Sequence, residues 1–278
     1  MICFPTSKIN IGLHVINKRE DGFHNIETIF YPVGLSDILE CVENTKYNIQ
    51  DKCQFIASGL KISGDVNQNL VVKAYQVLDN DFDLPPVLVN LHKQVPMGAG
   101  LGGGSSDAAF MLSLLNDLFE LRLTVPQLEK YASTLGSDCA FFIQNKPAYV
   151  FGKGHELTQI DISLAGLHLV LIHTGKHSST AQAYAHVLKR GSLIPGETVK
   201  DAVQLPYKQW QFHLFNDFEP SVFKFIPELA KIKNWLYQQG AIYAAMSGSG
   251  SCMFGLFTDK PKLNGEFAAH VIHGEELK

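Results

Sequence analysis

The chain has 278 residues, enough for one large domain or two of ordinary size. Its composition, 46% hydrophobic and 18% charged with a net charge of −4, is that of a globular protein; it argues against a nucleic-acid surface and holds no apolar run of membrane-spanning length. Cys3, Cys41, Cys53, Cys139 and Cys252 are widely spaced without a C-x-x-C pair, which favours reduced thiols over a disulfide frame or zinc site, and with no signal-peptide core after Met1 a cytoplasmic location is expected.

Residues 8–16 alternate. Ile9, Ile11, Leu13 and Val15 face one way and Lys8, Asn10, Gly12 and His14 the other, which predicts a strand with a core face and a polar face. A turn over Asn17 to Gly22 leads to extended segments from Ile26 to Val33 and from Ile38 to Val42. Asn67 or Asn69 is suited to cap a helix through Val77, and Val87, Val89 and Leu91 alternate as a strand. A helix is expected from Ser106 to about Phe119. Thr124 and Gln127 have capping-box spacing for the next helix, with Gly136 after its last turn. Ser137-Asp138 stands at the start of a short apolar helix, Cys139 to Ile143, followed by a strand from Ala148 to Phe151.

A composition shift near Gly152-Lys153-Gly154 suggests a domain boundary, dividing the chain into 1–153 and 154–278. Beyond it, Leu167 to Ile172 reads as a strand, Ala181 to Leu188 as a helix, and 190–206 as a long loop. Ile226 to Gln239 is helical by its apolar spacing. Two strands, Ala241 to Met246 and Cys252 to Phe257, flank Ser247-Gly248-Ser249-Gly250. Strands and helices mix without a regular βαβ beat, so the expected class is α+β.

The segment Pro96-Met97-Gly98-Ala99-Gly100-Leu101-Gly102-Gly103-Gly104-Ser105-Ser106 carries the chemistry. Glycines let backbone amides converge, and a helix starting directly behind adds free N–H donors and the positive end of its dipole. That combination is an anion site, and phosphate is its usual occupant. No lysine follows Gly104, so the loop is not a P-loop. The second strand and ribose-binding carboxylate of a dinucleotide site are also missing.

Phosphoryl transfer further needs charge neutralisation and a positioned acceptor. Asp138 is the leading candidate for handling the acceptor, although a carboxylate at a helix start also serves as a plain cap. Lys8 beside Asn10 is either a solvated strand lysine or a site residue. Ser105 and Ser106 suit an N-cap, a magnesium ligand, or both. Phe23-His24 and the Ser247-Gly248 turn read equally as local packing.

Three blocks taken together resemble the GHMP kinase superfamily, whose members phosphorylate small-molecule alcohols with ATP. The first is Lys8-Ile9-Asn10-Ile11-Gly12-Leu13 with Arg19-Glu20-Asp21-Gly22-Phe23-His24. The second is Pro96 to Ala109, joined by Leu135-Gly136-Ser137-Asp138. The third is Met246-Ser247-Gly248-Ser249-Gly250-Ser251-Cys252. The blocks span nearly the full chain in the family's order, and the first points to a member whose alcohol carries a cytidine diphosphate.

The resemblance implies a two-domain α+β fold with a cleft. The N-terminal part would bind ATP and the C-terminal part would close the substrate side. It implies that Asp138 acts on the acceptor hydroxyl with Lys8 close to it. Asn10 and His24 would recognise the cytidine, Phe23 and Tyr184 would sandwich its base, and Ser247 and Gly248 would line the substrate. Pro96 to Ser106, with Asn69 and Lys93 near the adenine, would bind ATP. The implied cofactors are ATP and Mg2+, with Ser105 or Ser106 on the metal and Asp138 a further choice. The implied partner is a cytidylated small molecule, with no nucleic acid and no membrane, and the chain is expected to be a monomer or weak homodimer. Phe23 departs from the tyrosine common at that position. Stacking survives the change, but any hydroxyl hydrogen bond is lost.

Overall fold

The computed structural model describes residues 1–45, 52–185, 187 and 197–278; residues 186, 188 and 190–196 of the expected helix and loop lie outside them. In chain order the strands are β1 (Ile2–Cys3), β2 (Thr6–Lys18), β3 (His24–Ser36), β4 (Ile38–Glu43), β5 (Cys53–Gly59), β6 (Val87–Lys93), β7 (Ala148–Phe151), β8 (Glu156–Gln159), β9 (His168–Ile172), β10 (Tyr243–Met246), β11 (Met253–Phe257) and β12 (Val271–Glu276). The helices are α1 (Leu70–Phe82), α2 (Gly103–Leu118), α3 (Val125–Leu135), α4 (Cys139–Gln144), α5 (Thr180–Ala185), α6 (Val199–Ala202), α7 (Trp210–His213), α8 (Glu219–Phe225) and α9 (Pro227–Gln238). Among the described residues no helix is long and apolar enough to cross a membrane.

The chain forms two compact units, each discontinuous in sequence. One gathers Met1–Ser7, Gly34–Met97 and Gly102–Lys146; the other gathers Lys8–Val33, Gly98–Leu101 and Pro147–Lys278. The expected single cut after residue 153 follows the chain, whereas these units interleave along it.

The first unit holds a four-stranded sheet in the order β1-β4-β6-β5. β5 and β6 run parallel, so the chain must cross over between them, and α1 forms that crossover. The Asn69 side chain accepts a hydrogen bond from Val71 N at 2.9 Å and caps α1 as the sequence suggests. Thr124 and Gln127 form the capping box that opens α3. α2 is the central helix, with Ala108, Ala109, Met111, Leu112 and Leu115 buried along it. It begins at Gly103, three residues earlier than the apolar pattern alone indicates. Glycine is tolerated there because amides of a first turn have no intrahelical partner to lose.

The second unit holds two four-stranded sheets, β2-β3-β7-β8 and β10-β11-β9-β12. Leu13, Val15 and Ile26 of the first sheet share one core with Val170, Ile172, Met246 and Met253 of the second, with Phe218 just before α8, and with Val222, Leu229 and Ile232 of α8 and α9. The β10–β11 pairing, Met246 opposite Met253, closes the expected hairpin around Ser247 to Gly250. The polar face of β2 is not solvated: Lys8, Asn10 and His14 are all buried. Burial is tolerated because Asn10 donates to Thr28 Oγ1 at 3.0 Å and His14 pairs with Glu27 at 3.3 Å.

Candidate phosphate loop and acceptor site

The glycine loop is held by its carbonyls. Ala99 O accepts from Cys252 N at 3.0 Å, Gly100 O from Ser247 Oγ at 2.8 Å, and Leu101 O from Lys8 N at 2.9 Å, all within the second unit. Three successive peptide oxygens are thereby turned into the protein. Among the described residues no protein acceptor takes the amides of Gly98, Gly100, Leu101 or Gly102. Gly100 is irreplaceable for this fit: its φ is +80°, and a Cβ there would stand 1.9 Å from Ser247 O. Ser247 is fully buried and its hydroxyl braces Gly100, while Gly248 packs against the Gly100 backbone. These two residues, expected to line the substrate, thus hold the loop.

In the first unit the start of α2 and the start of α4 converge. The Ser105 hydroxyl bonds to the Cys139 thiol, and burial pushes that thiol up to about 11, so it stays protonated. A Cβ on Gly136 would lie 3.2 Å from Cys139 Sγ and 3.9 Å from Ser105 Oγ. Asp138 directly precedes Cys139 at the α4 N-cap, yet its carboxylate makes no capping hydrogen bond. Among the described residues only Ser137 Oγ reaches it, donating to Oδ1 at 3.1 Å. The carboxylate is half-buried. Ser106, in contrast, faces the interior, and its hydroxyl is buried with no partner among the described residues.

Lys93 has a different position from the one expected. Its ammonium is buried between Asp107, at 2.6 Å from Oδ2, and Asp37. Asp37 Oδ1 in turn accepts from Val95 N at 2.9 Å and Gln94 N at 2.5 Å. The cation expected to reach the adenine is instead an internal clamp. It joins the end of β6, just before the loop, to the first turns of α2, just after it. One ammonium facing two carboxylates leaves an excess negative charge. Burial, opposed in part by Lys93 and reinforced by Asp37, holds the Asp107 carboxyl well above the usual carboxylate range.

Lys8 and Asn10 are bonded to each other through Nζ and Oδ1, and the Lys8 ammonium stands 4.4 Å from the centre of the Phe30 ring. His24 stacks on Tyr184 with ring centres 5.1 Å apart and planes 25° apart. Phe23, expected with Tyr184 to sandwich the cytosine, is 62% exposed with the Lys153 ammonium 5.1 Å from its ring centre. Burial, followed by the nearby Lys18 charge, lowers the His24 pKa and favours the neutral imidazole. Asp37 and Asp107 escaped sequence reading. Asp107 lies inside the glycine motif, but nothing local distinguishes a carboxylate that meets a buried lysine from one that meets water.

Two family models match this chain: the GHMP kinases N terminal domain over residues 69–152, and the GHMP kinases C terminal domain over residues 207–270. A 4-diphosphocytidyl-2-C-methyl-D-erythritol kinase of Bacteroides fragilis is 48% identical over 281 residues, covering 100% of both chains. The crystal structure of a 4-(cytidine 5'-diphospho)-2C-methyl-D-erythritol kinase superposes with a TM-score of 0.77 at 30% identity, over 92% of this chain and 90% of that one. A homoserine kinase of Cytophaga hutchinsonii shares the fold, with a TM-score of 0.60 at 17% identity over 92% of this chain and 85% of that one. The loop with inward carbonyls, the half-buried carboxylate at the start of α4 and this full-length similarity agree: the chain belongs to the GHMP kinase family, among the 4-diphosphocytidyl-2-C-methyl-D-erythritol kinases.

Proposed function

We propose that this enzyme transfers the γ-phosphoryl group of ATP to the 2-hydroxyl of 4-diphosphocytidyl-2-C-methyl-D-erythritol, a step of isoprenoid precursor synthesis. The observation that carries this reading is the orientation of the glycine loop. Three carbonyls are bonded inward, and among the described residues the amides of Gly98, Gly100, Leu101 and Gly102 have no protein acceptor, directly ahead of the first turn of α2. Such a cradle donates to phosphate oxygens as charge redistributes during transfer.

Asp138 orients the acceptor hydroxyl and takes its proton as the bond to phosphorus forms. An alcohol is too weak an acid to ionise beforehand, so the carboxylate need only accept late in the step. Lys8 supplies positive charge for the transferring phosphoryl, and Asn10 holds the Lys8 ammonium in place.

A magnesium ion fits the same reading. Among the described residues no group of three or more His, Cys, Asp and Glu side chains forms a metal cluster. Mg2+ is commonly held by one or two protein oxygens together with substrate phosphates, so it does not need one. Ser105 Oγ is the side-chain oxygen for it, preferred to the interior Ser106, and the Asp138 carboxylate is kept for the acceptor hydroxyl. The ion would screen the phosphate charge.

The cytosine is read by Phe23, His24 and Tyr184. Phe23→Ala should raise KM for the cytidylated alcohol roughly 5- to 150-fold, the equivalent of losing about 1–3 kcal/mol of base stacking, and leave KM for ATP unchanged. Equal rises in both KM values would rule out base stacking at Phe23. Gly100→Ala should cut kcat/KM by roughly 100-fold, because a displaced loop misaligns the phosphates. A folded variant with wild-type kcat/KM would show that the close approach to Ser247 does not set the loop. The functional assay itself is ATP consumption with the cytidylated methylerythritol, homoserine and mevalonate as competing acceptors. Turnover with either of the last two alone would refute the assignment.

A further inference from the structure

The turn His173 to His177, in the second unit, holds a side chain that the fold does not use. The turn itself is anchored at several points. Gly175 N donates to His173 Nδ1 at 3.3 Å, Ser251 Oγ donates to the Lys176 carbonyl, and the Lys176 ammonium is paired with Glu228 at 2.6 Å. His177 follows directly. Its imidazole is exposed and makes no hydrogen bond to another described residue.

That imidazole lies on the glycine loop. A Cβ at Gly98 would come within 2.9 Å of His177 Nδ1 and 3.2 Å of Cε1, so only a glycine lets the ring sit there. Gly98 has a φ of +64°, which removes any option of a side chain turning aside. Gly98 opens the stretch in which the amides of Gly98, Gly100, Leu101 and Gly102 have no acceptor among the described residues. The loop is therefore bordered by a ring with a nitrogen donor available. Lys176, the neighbouring cation, is committed to Glu228 and does not compete for the role.

We propose that His177 is a further phosphate ligand of this site, donating an imidazole N–H to a phosphate oxygen of either the nucleotide or the diphosphate of the alcohol substrate. Imidazole has at least one N–H in both its neutral and charged forms, so the contact does not require protonation. The inference rests on the reading of Gly98 to Ser106 as the phosphate loop.

The test is steady-state kinetics on the full chain with His177→Ala and His177→Gln. ATP is varied at saturating alcohol, then the alcohol at saturating ATP. His177→Ala should raise one KM by about 5- to 20-fold, with the other KM and the thermal midpoint unchanged. The KM that moves identifies whose phosphate is held. His177→Gln, which retains an N–H donor, should recover part of the loss. Both KM values within twofold of wild type, or a rise in both together with a lowered thermal midpoint, would overturn the assignment of His177 and leave the kinase reading intact. A wild-type protein without turnover would overturn both.

Discussion

Asp138→Asn is expected to lower kcat by about 10²- to 10⁴-fold while ATP binding, measured by calorimetry, stays at the wild-type level. The substitution keeps the shape of the side chain and removes only its charge and basicity. It also isolates chemistry from folding. The carboxylate makes no capping bond to α4, and the hydrogen bond it receives from Ser137 can be made to an amide oxygen as well. The thermal midpoint should therefore hold. The KM for the alcohol should move little, because the loss falls on proton transfer in the transition state rather than on ground-state binding. Near-normal turnover would show that Asp138 is not the base. A fall in ATP affinity matching the fall in kcat would instead make it a nucleotide or metal ligand.

Lys93→Met is expected to be the most destabilising single change in the first unit, by about 3–5 kcal/mol, read from the urea midpoint of the full chain. The cost arises from what is left behind. Asp37 and Asp107 would remain buried with no cation between them, so one must take up a proton and the other is left as an uncompensated charge in a medium that does not solvate it. Asp107→Asn leaves Lys93 paired with Asp37 and should cost less than half as much. A Lys93→Met variant as stable as wild type would mean that water or relaxation reaches the clamp. The same variant separates two roles for this lysine. A ligand of ATP would raise KM without unfolding the unit, whereas a clamp between β6 and α2 loses stability first.

Much of the local structure was legible because it depends on neighbours in sequence. Asn69 ahead of an apolar run, Thr124 with Gln127, and the alternation of β2 and β6 each specify their element through contacts within a few residues. Where local reading failed, the cause was equally physical. α2 starts early because glycine costs little in a first turn. β12 and β5 were missed because an edge strand with few buried positions has no clear two-residue apolar period. The helix expected over Ile226 to Gln239 is α9; the element missed is the short α8 before it, which ends at Phe225 because the Pro227 ring cannot continue a preceding helix.

From the residues alone come the glycine loop with its anion-site character, the helix behind it and Asp138 at a second helix start, all written in composition and short spacing; the roles of Phe23 and His24 come from the resemblance to the GHMP kinases. The tertiary structure decided which groups those residues meet. Lys93 is 56 positions from Asp37, and Ser247 is 147 positions from Gly100, so no local pattern encodes either contact. Burial then changes the chemistry. A lysine that would be a solvated cation on a strand end becomes the counter-charge of two enclosed carboxylates, and a serine in a simple turn becomes the brace of the loop. Glycine density promises an anion site, but only the long-range bonds to Ala99, Gly100 and Leu101 turn the carbonyls inward and leave loop amides without a protein acceptor among the described residues.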